Sequence, residues 1–325
     1  MQMKIVSFDS ECSRDFGMHC EMCTFGYVVA DENFKTEVSK QIYIKASKPT
    51  GRSKTFLRTP YDKFKNAPQY KNVRPQIASV FGWEDAVYIT HSPETTFRYL
   101  CCMDRHFNYK PIRCKAFDLY TIVKNYADIS SYGLSDIAKT FGIKYRGKES
   151  NIDAKTCIKI LEYLCKEEHT DIRGLLAVCG HGAEVESEVI YYNTMLKIKQ
   201  DRLWTFYDKP AGSGKFEGKV FSMSESFENN RISIGFRIAE YITSNGGRMT
   251  RKASESQIFV WDGDVTSKRL NSVNSMPDGN ILILETNELF ALGESESEPS
   301  DVPVKPARKK AGQLSIDDFS DAASE

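Results

Sequence analysis

Two acidic residues at the end of a short apolar run are the part of this sequence best placed to do chemistry. Asp9 and Glu11 close a run that begins Lys4-Ile5-Val6-Ser7-Phe8. Residues two apart on a strand point to the same face, so both carboxylates can converge on one divalent cation at the strand's edge. That geometry suits metal-dependent hydrolysis of phosphodiester bonds. The alternative interpretation is a strand that simply ends in polar residues.

The residues up to about 175 show the alternating strand and helix patterns of an α/β domain. Runs rich in β-branched and aromatic residues predict a three-stranded antiparallel meander at 4–11, 23–30 and 40–45. Apolar spacing and composition then predict further elements: a helix over 73–83, a strand over 86–90, a helix after His91, an apolar helix beginning at Ala116, a helix over 134–141 that stops at Gly142, and a last helix over 153–164.

The rest of the chain divides into three parts. Pro and Gly cluster at 208–214, which marks a linker. We therefore predict a first domain over 1–175, a helical connection and linker over 176–214, and a second, smaller α/β domain over 215–293. Residues 294–325 have too few apolar side chains to fold, so this tail is predicted to be disordered.

Length and composition agree with such a division. The chain has 325 residues, more than the roughly 250 to 300 at which single cores stop growing. Its formal net charge is +0, so any contact with nucleic acid must come from local patches. No apolar stretch approaches the roughly 18 residues of a membrane span, which favours a soluble cytoplasmic protein with no membrane partner.

The nine cysteines are expected to be free thiols, mostly buried, since their number is odd and their positions are scattered. Cys20 and Cys23 have the spacing of half a zinc site. No second pair follows at a workable distance, so core or loop thiols are the preferred interpretation.

The order of signals over residues 3–167 resembles the DnaQ-like family of 3′–5′ exonucleases, the ribonuclease-H-like group that includes the proofreading subunit of bacterial DNA polymerase III. The segments that carry the resemblance are Ile5–Glu11 for the first motif, Asn66–Val73 before the second, Val87–His91 for the second, Tyr132–Leu134 with Phe141–Ile143, and Asp153–Ala154 for the third. The resemblance implies a mixed sheet with flanking helices and two ions, Mg²⁺ or Mn²⁺. It also implies action on single-stranded 3′ ends of DNA.

Three acidic residues match the metal ligands of this family: Asp9, Glu11 and Asp153. The aspartate of the second motif falls on Thr96, and a hydroxyl is a poor ligand for a hard cation. Glu94 could supply that ligand if Pro93 reshapes the turn.

The general base of the family's histidine branch lies five residues before the last aspartate, and that position is Lys148 here. A lysine can act as a base only if its pKa is strongly lowered. His91 matches the histidine of the second motif, and its alternative role is structural.

Residues 215–293 resemble a BRCT domain, which implies a small parallel sheet and a ligand such as a phosphopeptide, a protein or a DNA end. The family's phosphate pocket corresponds to Ser222 and Lys268, although Met223 stands where the pocket usually has glycine. The alternative is that Lys268 is a solvated helix-end lysine.

The end of the tail resembles a sliding-clamp-binding peptide through Gln313, Leu314, Ile316 and Phe319, which follow a basic run. Gln fits a polar niche in such complexes, while the apolar residues enter a pocket. The alternative is an accidental apolar patch.

The sequence thus favours a metal-dependent 3′–5′ exonuclease of DNA replication or repair, brought to a sliding clamp or DNA polymerase by its second domain and tail. The rival hypothesis is a catalytically impaired, exonuclease-like adaptor, because Thr96 and Lys148 replace an expected aspartate and histidine.

Overall fold

The computed structural model describes residues 3–16, 19–50, 57–147, 149–276 and 281–294. The chain separates into two compact units between Met195 and Leu196. This division falls inside one helix, Ser187–Trp204.

The described part of the first unit is built on a mixed sheet. Its strands are β1 (Lys4–Phe16), β2 (His19–Asp31), β3 (Thr36–Tyr43), β4 (Ala86–Thr90), β5 (Lys115–Asp118) and β6 (Glu184–Glu186). Their order in the sheet is β3-β2-β1-β4-β5-β6. Neighbours among β1, β2 and β3 run antiparallel, as the predicted meander requires, whereas β4 is parallel to β1 and β5 is parallel to β4.

Helices flank this sheet. They are α1 (Tyr61–Phe64), α2 (Tyr70–Ser79), α3 (Pro93–His106), α4 (Leu119–Tyr126), α5 (Leu134–Thr140), α6 (Ser150–Glu167), α7 (Ile172–Cys179) and α8 (Ser187–Trp204). Gly142 has φ +69°, the left-handed conformation that the sequence predicts just after α5.

Alternate residues of the central strands enter two separate cores, one on each face of the sheet. Ile5 packs in a core that contains the apolar side of α6, whereas Val6 and Phe8 pack in a second core with residues of α2 and α3. Because side chains alternate between faces along a strand, Ser7, Asp9 and Glu11 share the face of Ile5. The acidic end of β1 is therefore directed to the side of the sheet that α6 covers.

One predicted element is wrong in type. The sequence analysis starts an apolar helix at Ala116, but Lys115–Asp118 form β5, and the helix begins at Leu119. Ala116 is fully buried in this strand, between partners in β4 and β6. Four apolar-rich residues are too few to distinguish a buried strand from the first turn of the helix that follows.

The first unit also continues beyond the predicted limit at residue 175. β6 pairs antiparallel with β5, which makes Glu184–Glu186 part of the first sheet. The segment 176–214 is consequently not a connection between domains, because the division between units lies inside α8.

The second unit contains a parallel sheet in its described residues. Its strands are β7 (Val220–Met223), β8 (Arg248–Met249), β9 (Ile258–Trp261) and β10 (Leu282–Glu285), in the order β10-β9-β7-β8. The helices are α9 (Ile232–Ser244), α10 (Lys268–Asn274) and α11 (Thr286–Glu294). The core holds Phe216, Phe221 and Phe227. Phe216 was predicted to open the first strand, but β7 begins four residues later.

All nine cysteines are free, and eight of them are buried, as the sequence predicts. Within the described ranges, no helix is long and apolar enough to cross a membrane. The tail from residue 295 onward, with the predicted clamp-binding residues Gln313, Leu314, Ile316 and Phe319, lies outside the described residues.

Candidate active site

Asp9 and Glu11 occupy the end of β1 next to the start of α6. In the antiparallel pair, Asp9 is opposite Gly26 and Glu11 is opposite Thr24 of β2. The register shifts immediately after Glu11, and an irregularity of this kind redirects the side chains beyond it. The two carboxylates are thus the last pair that the regular strand presents to this face.

A glycine in β2 lets α6 approach the sheet closely. A side-chain carbon on Gly26 would lie 2.0 Å from the backbone nitrogen of Asn151, so a larger residue would push the first turn of α6 away. Nearby, the buried hydroxyls of Thr24 and Ser150 share a hydrogen bond of 2.7 Å. These contacts fix the first turn of α6, which carries Asp153, over the end of β1.

The three carboxylates influence one another electrostatically. Burial raises the pKa of Asp9 well above its usual range, and the negative charges of Asp153 and Glu11 raise it further. Burial likewise raises the pKa of Glu11 and the pKa of Asp153. Asp9 is not sealed off, because its side chain stays partly accessible. Crowded carboxylates that remain accessible are a natural place for a cation.

Donors from two loops contact two of these carboxylates. Tyr145 Oη donates to Asp153 Oδ1 at 2.7 Å. Arg58 Nη1 lies 3.9 Å from the same oxygen and donates to the Tyr145 hydroxyl. On the other side, Thr59 Oγ1 donates to Glu11 Oε2 at 2.7 Å, and the Arg58 backbone N–H donates to Glu11 Oε1 at 3.4 Å. Protein groups thus already bind Asp153 and Glu11.

The sequence analysis did not identify Arg58, Thr59 or Tyr145. Each lies in a segment without regular structure, where no periodicity indicates which way a side chain points. Burial and the neighbouring Asp153 raise the pKa of Tyr145. Its phenol therefore stays protonated at neutral pH and acts as a donor.

His91 follows β4 and lies close to the acidic group. Its Nε2 is 2.8 Å from the carbonyl oxygen of Tyr132. A carbonyl only accepts, so Nε2 carries a proton, and in the neutral ring Nδ1 is left as an acceptor. Burial raises the pKa of Asp153 and the pKa of Asp118, and the charge of His91 acts against both increases. The structure thus brings His91 near the predicted ligand Asp153.

Asp118 is an acidic residue of this region that the sequence analysis missed. It ends β5 opposite Thr90 of β4. Its carboxylate caps α4 by accepting the backbone N–H of Tyr120 at 3.0 Å and the hydroxyl of Thr121 at 2.8 Å. An aspartate before an apolar helix is a recognisable cap, but the prediction of a helix from Ala116 hid it.

The remaining predicted residues are not assembled with the acidic group. Thr96 is 1% exposed inside α3, whereas Glu94 is exposed in the first turn of that helix. The charges that shift the pKa of Asp153 are those of Arg58 and His91, so Glu94 does not act as a neighbour there. Lys148 lies outside the described residues.

This donor set does not fit a pair of divalent ions. Across the part of the chain that the structure describes, no three Asp, Glu, His or Cys side chains are grouped closely enough to hold a metal ion as they stand. The contacts of Asp153 with Arg58 and Tyr145 give a physical reason, because they direct a carboxylate oxygen toward protein donors. The fourth carboxylate of a two-ion site is also missing at Thr96.

In the second unit, Ser222 and Lys268 do not form an open anion pocket. Ser222 is fully buried, and its hydroxyl donates to Ser256 at 2.7 Å. The start of α10 is already occupied by the carboxylate of Glu225, which accepts the hydroxyl of Ser267 at 2.6 Å and the backbone N–H of Arg269 at 2.9 Å. An internal acid thus takes the place where a phosphate would meet this helix.

No protein-family model matches the chain, and no curated protein is similar to it in sequence. Solved structures similar to about half of it include three nucleases. A 3′-exonuclease that recognises a histone mRNA stem-loop is 14% identical, with a TM-score of 0.45 over 52% of this chain and 84% of that one. Cell-death related nuclease 4 is 17% identical, with a TM-score of 0.43 over 50% and 64%. E. coli exonuclease I with a dT13 oligonucleotide is 13% identical, with a TM-score of 0.45 over 52% and 42%. This chain thus spans less than two thirds of the latter two.

Proposed function

We propose that the first unit is a metal-dependent 3′–5′ exonuclease that acts on single-stranded ends of DNA. The observation that carries this proposal is the meeting of three carboxylates from a strand and a helix. Asp9, Glu11 and Asp153 are far apart in sequence, yet the charge of each raises or is raised by that of a neighbour. Phosphodiester hydrolysis through a hard cation needs such a concentration of carboxylate oxygens.

The residues around the carboxylates have separate roles in this proposal. A bound Mg²⁺ or Mn²⁺ would lower the pKa of a water molecule and stabilise the leaving oxygen. Asp9 supplies the central carboxylate, and Glu11 and Asp153 flank it. His91, with its Nε2 proton held by the Tyr132 carbonyl, offers Nδ1 as a proton acceptor. It is a better candidate for the base than Lys148, whose amino group is charged at neutral pH.

The wider assignment is a ribonuclease-H-like exonuclease domain joined to a BRCT domain. The mixed six-stranded sheet and the parallel sheet of the second unit are of the types that the two resemblances imply. Recruitment to a sliding clamp or DNA polymerase through the second unit and the tail belongs to the same proposal, as does a cytoplasmic location.

A second function, a binding adaptor without catalysis, is favoured by one observation. Arg58 and Tyr145 bind the third carboxylate directly, and position 96 has no carboxylate. Such a site could still bind the 3′ end of a strand while failing to cut it.

A nuclease assay separates the two functions. Single-stranded DNA and RNA labelled at the 5′ end would be incubated with the full chain in Mg²⁺, in Mn²⁺ and in EDTA. The exonuclease proposal expects a ladder of products shortened from the 3′ end in either metal and none in EDTA. Binding of the oligonucleotide without any product in either metal would support the adaptor.

A further inference from the structure

A guanidinium reaches into the acidic group of the first unit. Arg58 Nη1 is 3.9 Å from Asp153 Oδ1. Its positive charge opposes the increase in the pKa of Asp9 and of Asp153 that burial causes. The carboxylate of Glu11 in turn favours the charged form of Arg58. Arg58 thus interacts with all three acids.

We propose that Arg58 is the built-in counter-cation of this site, so that the site takes a single divalent ion. This inference rests on the proposed metal-dependent function, and it concerns what one arginine does to that site. Three carboxylates and one guanidinium leave two formal negative charges, which one divalent cation balances. A site with a fourth carboxylate in place of Thr96, and without Arg58, would leave four and would balance two ions.

The neighbours of Arg58 hold it in this position. Its side chain donates to the Tyr145 hydroxyl, and its guanidinium lies 5.7 Å from the centre of the Tyr145 ring. Its backbone N–H and the next residue, Thr59, are both fixed to Glu11. The side chain is nevertheless 45% exposed, so it can withdraw from Asp153 toward solvent when a metal ion arrives. Arg58 and the ion therefore compete for Asp153.

The competition predicts a gain in metal affinity when the charge is removed. Full-length protein freed of metal would be titrated with Mn²⁺ by calorimetry, and bound Mn²⁺ would be counted by electron paramagnetic resonance. We expect no more than one Mn²⁺ at the acidic site of the wild type. Arg58→Met should bind Mn²⁺ at least about tenfold more tightly, a modest share of the Coulomb term for a half-exposed charge.

Two matched variants control for charge and for surface effects. Arg58→Lys keeps the positive charge and should bind Mn²⁺ much like the wild type. Arg173→Met removes an arginine that pairs with Asp85 on the surface, and it should leave Mn²⁺ binding unchanged. Adding Asp9→Asn to Arg58→Met should abolish the gain, since the ion then lacks its central ligand. Circular dichroism would show that each variant is folded.

Several results would overturn the proposal. They are two Mn²⁺ ions of similar affinity in the wild type, equal or weaker binding by Arg58→Met, or a gain that survives Asp9→Asn. These outcomes differ from a failure of the proposed function. Oligonucleotide cleavage with no effect of Arg58→Met on Mn²⁺ would reject only the role of Arg58, whereas a tenfold gain in a protein that never cleaves would reject only the exonuclease.

Discussion

At the scale of single residues, Asp9 shows a conflict between folding and function. Its carboxylate lies among two other acids and has lost enough hydration to raise its pKa well above the usual range. Nothing in the packing of an ordinary strand end requires such a residue. A buried acid that repels its neighbours is typical of a site that binds a cation.

The raised pKa of Asp9 predicts a dependence of stability on pH. A carboxylate whose pKa is higher in the folded protein contributes stability that is full below its usual value of 3.8 and is lost as the pH rises through the raised pKa. Asp9→Asn removes that loss. In thermal unfolding without metal, Asp9→Asn should therefore have a higher midpoint than the wild type at neutral pH, and the difference should vanish toward about pH 4.

Asp15 on the same strand provides a control of opposite sign. The hydrogen bonds from Arg98 lower its pKa, so its contribution is present at neutral pH and is lost as the pH falls through the lowered pKa. Asp15→Asn should therefore lower the midpoint at neutral pH. A destabilised Asp9→Asn protein at neutral pH would contradict the crowding of negative charge at Asp9.

At the scale of elements, the site depends on how closely α6 approaches β2. Gly26→Ala would place a carbon against the backbone of Asn151, and backbone cannot yield as a flexible side chain does. We expect a loss of about 1–3 kcal/mol in the free energy of unfolding, measured in urea. Gly82→Ala is the control, since its new carbon would meet only Ser79 O at 3.5 Å. Equal stability of Gly26→Ala and wild type would show that α6 does not need this glycine.

The sequence predicted those elements whose residues carry a clear local pattern. The strands Ala86–Thr90 and Ile258–Trp261 are continuous apolar runs next to polar or turn residues, and both lie where they were expected. β5 was missed because its apolar residues run directly into those of α4.

Half of the candidate site was beyond sequence analysis for a different reason. Asp9, Glu11 and Asp153 stand in motifs with a recognisable order. Arg58 and Tyr145 come from loops that are 87 residues apart, and only the folded chain brings them together. Their role depends on distance in space, which a pattern along one chain does not encode.

At the scale of the whole molecule, the two units and the tail suggest separate tasks of cutting and recruitment. We predict that deleting residues 311–325 removes binding to a sliding clamp and leaves the hydrolysis of short oligonucleotides unchanged. Gln313→Ala combined with Phe319→Ala should weaken clamp binding by at least about tenfold, because a few anchors dominate such complexes. Calorimetry that finds equal clamp affinity for intact and truncated chains would leave the second unit as the recruiting module.

The central claim, that the acidic end of β1 hydrolyses phosphodiester bonds with a metal ion, is tested most directly by one pair of rates. These are the rates at which Asp9→Asn and Asp15→Asn shorten a 5′-labelled single-stranded oligonucleotide in Mn²⁺. Both variants remove one carboxylate from β1, but only Asp9 belongs to the acidic group. The account predicts that Asp15→Asn cuts at the wild-type rate and that Asp9→Asn does not cut. Undiminished cleavage by Asp9→Asn would contradict it.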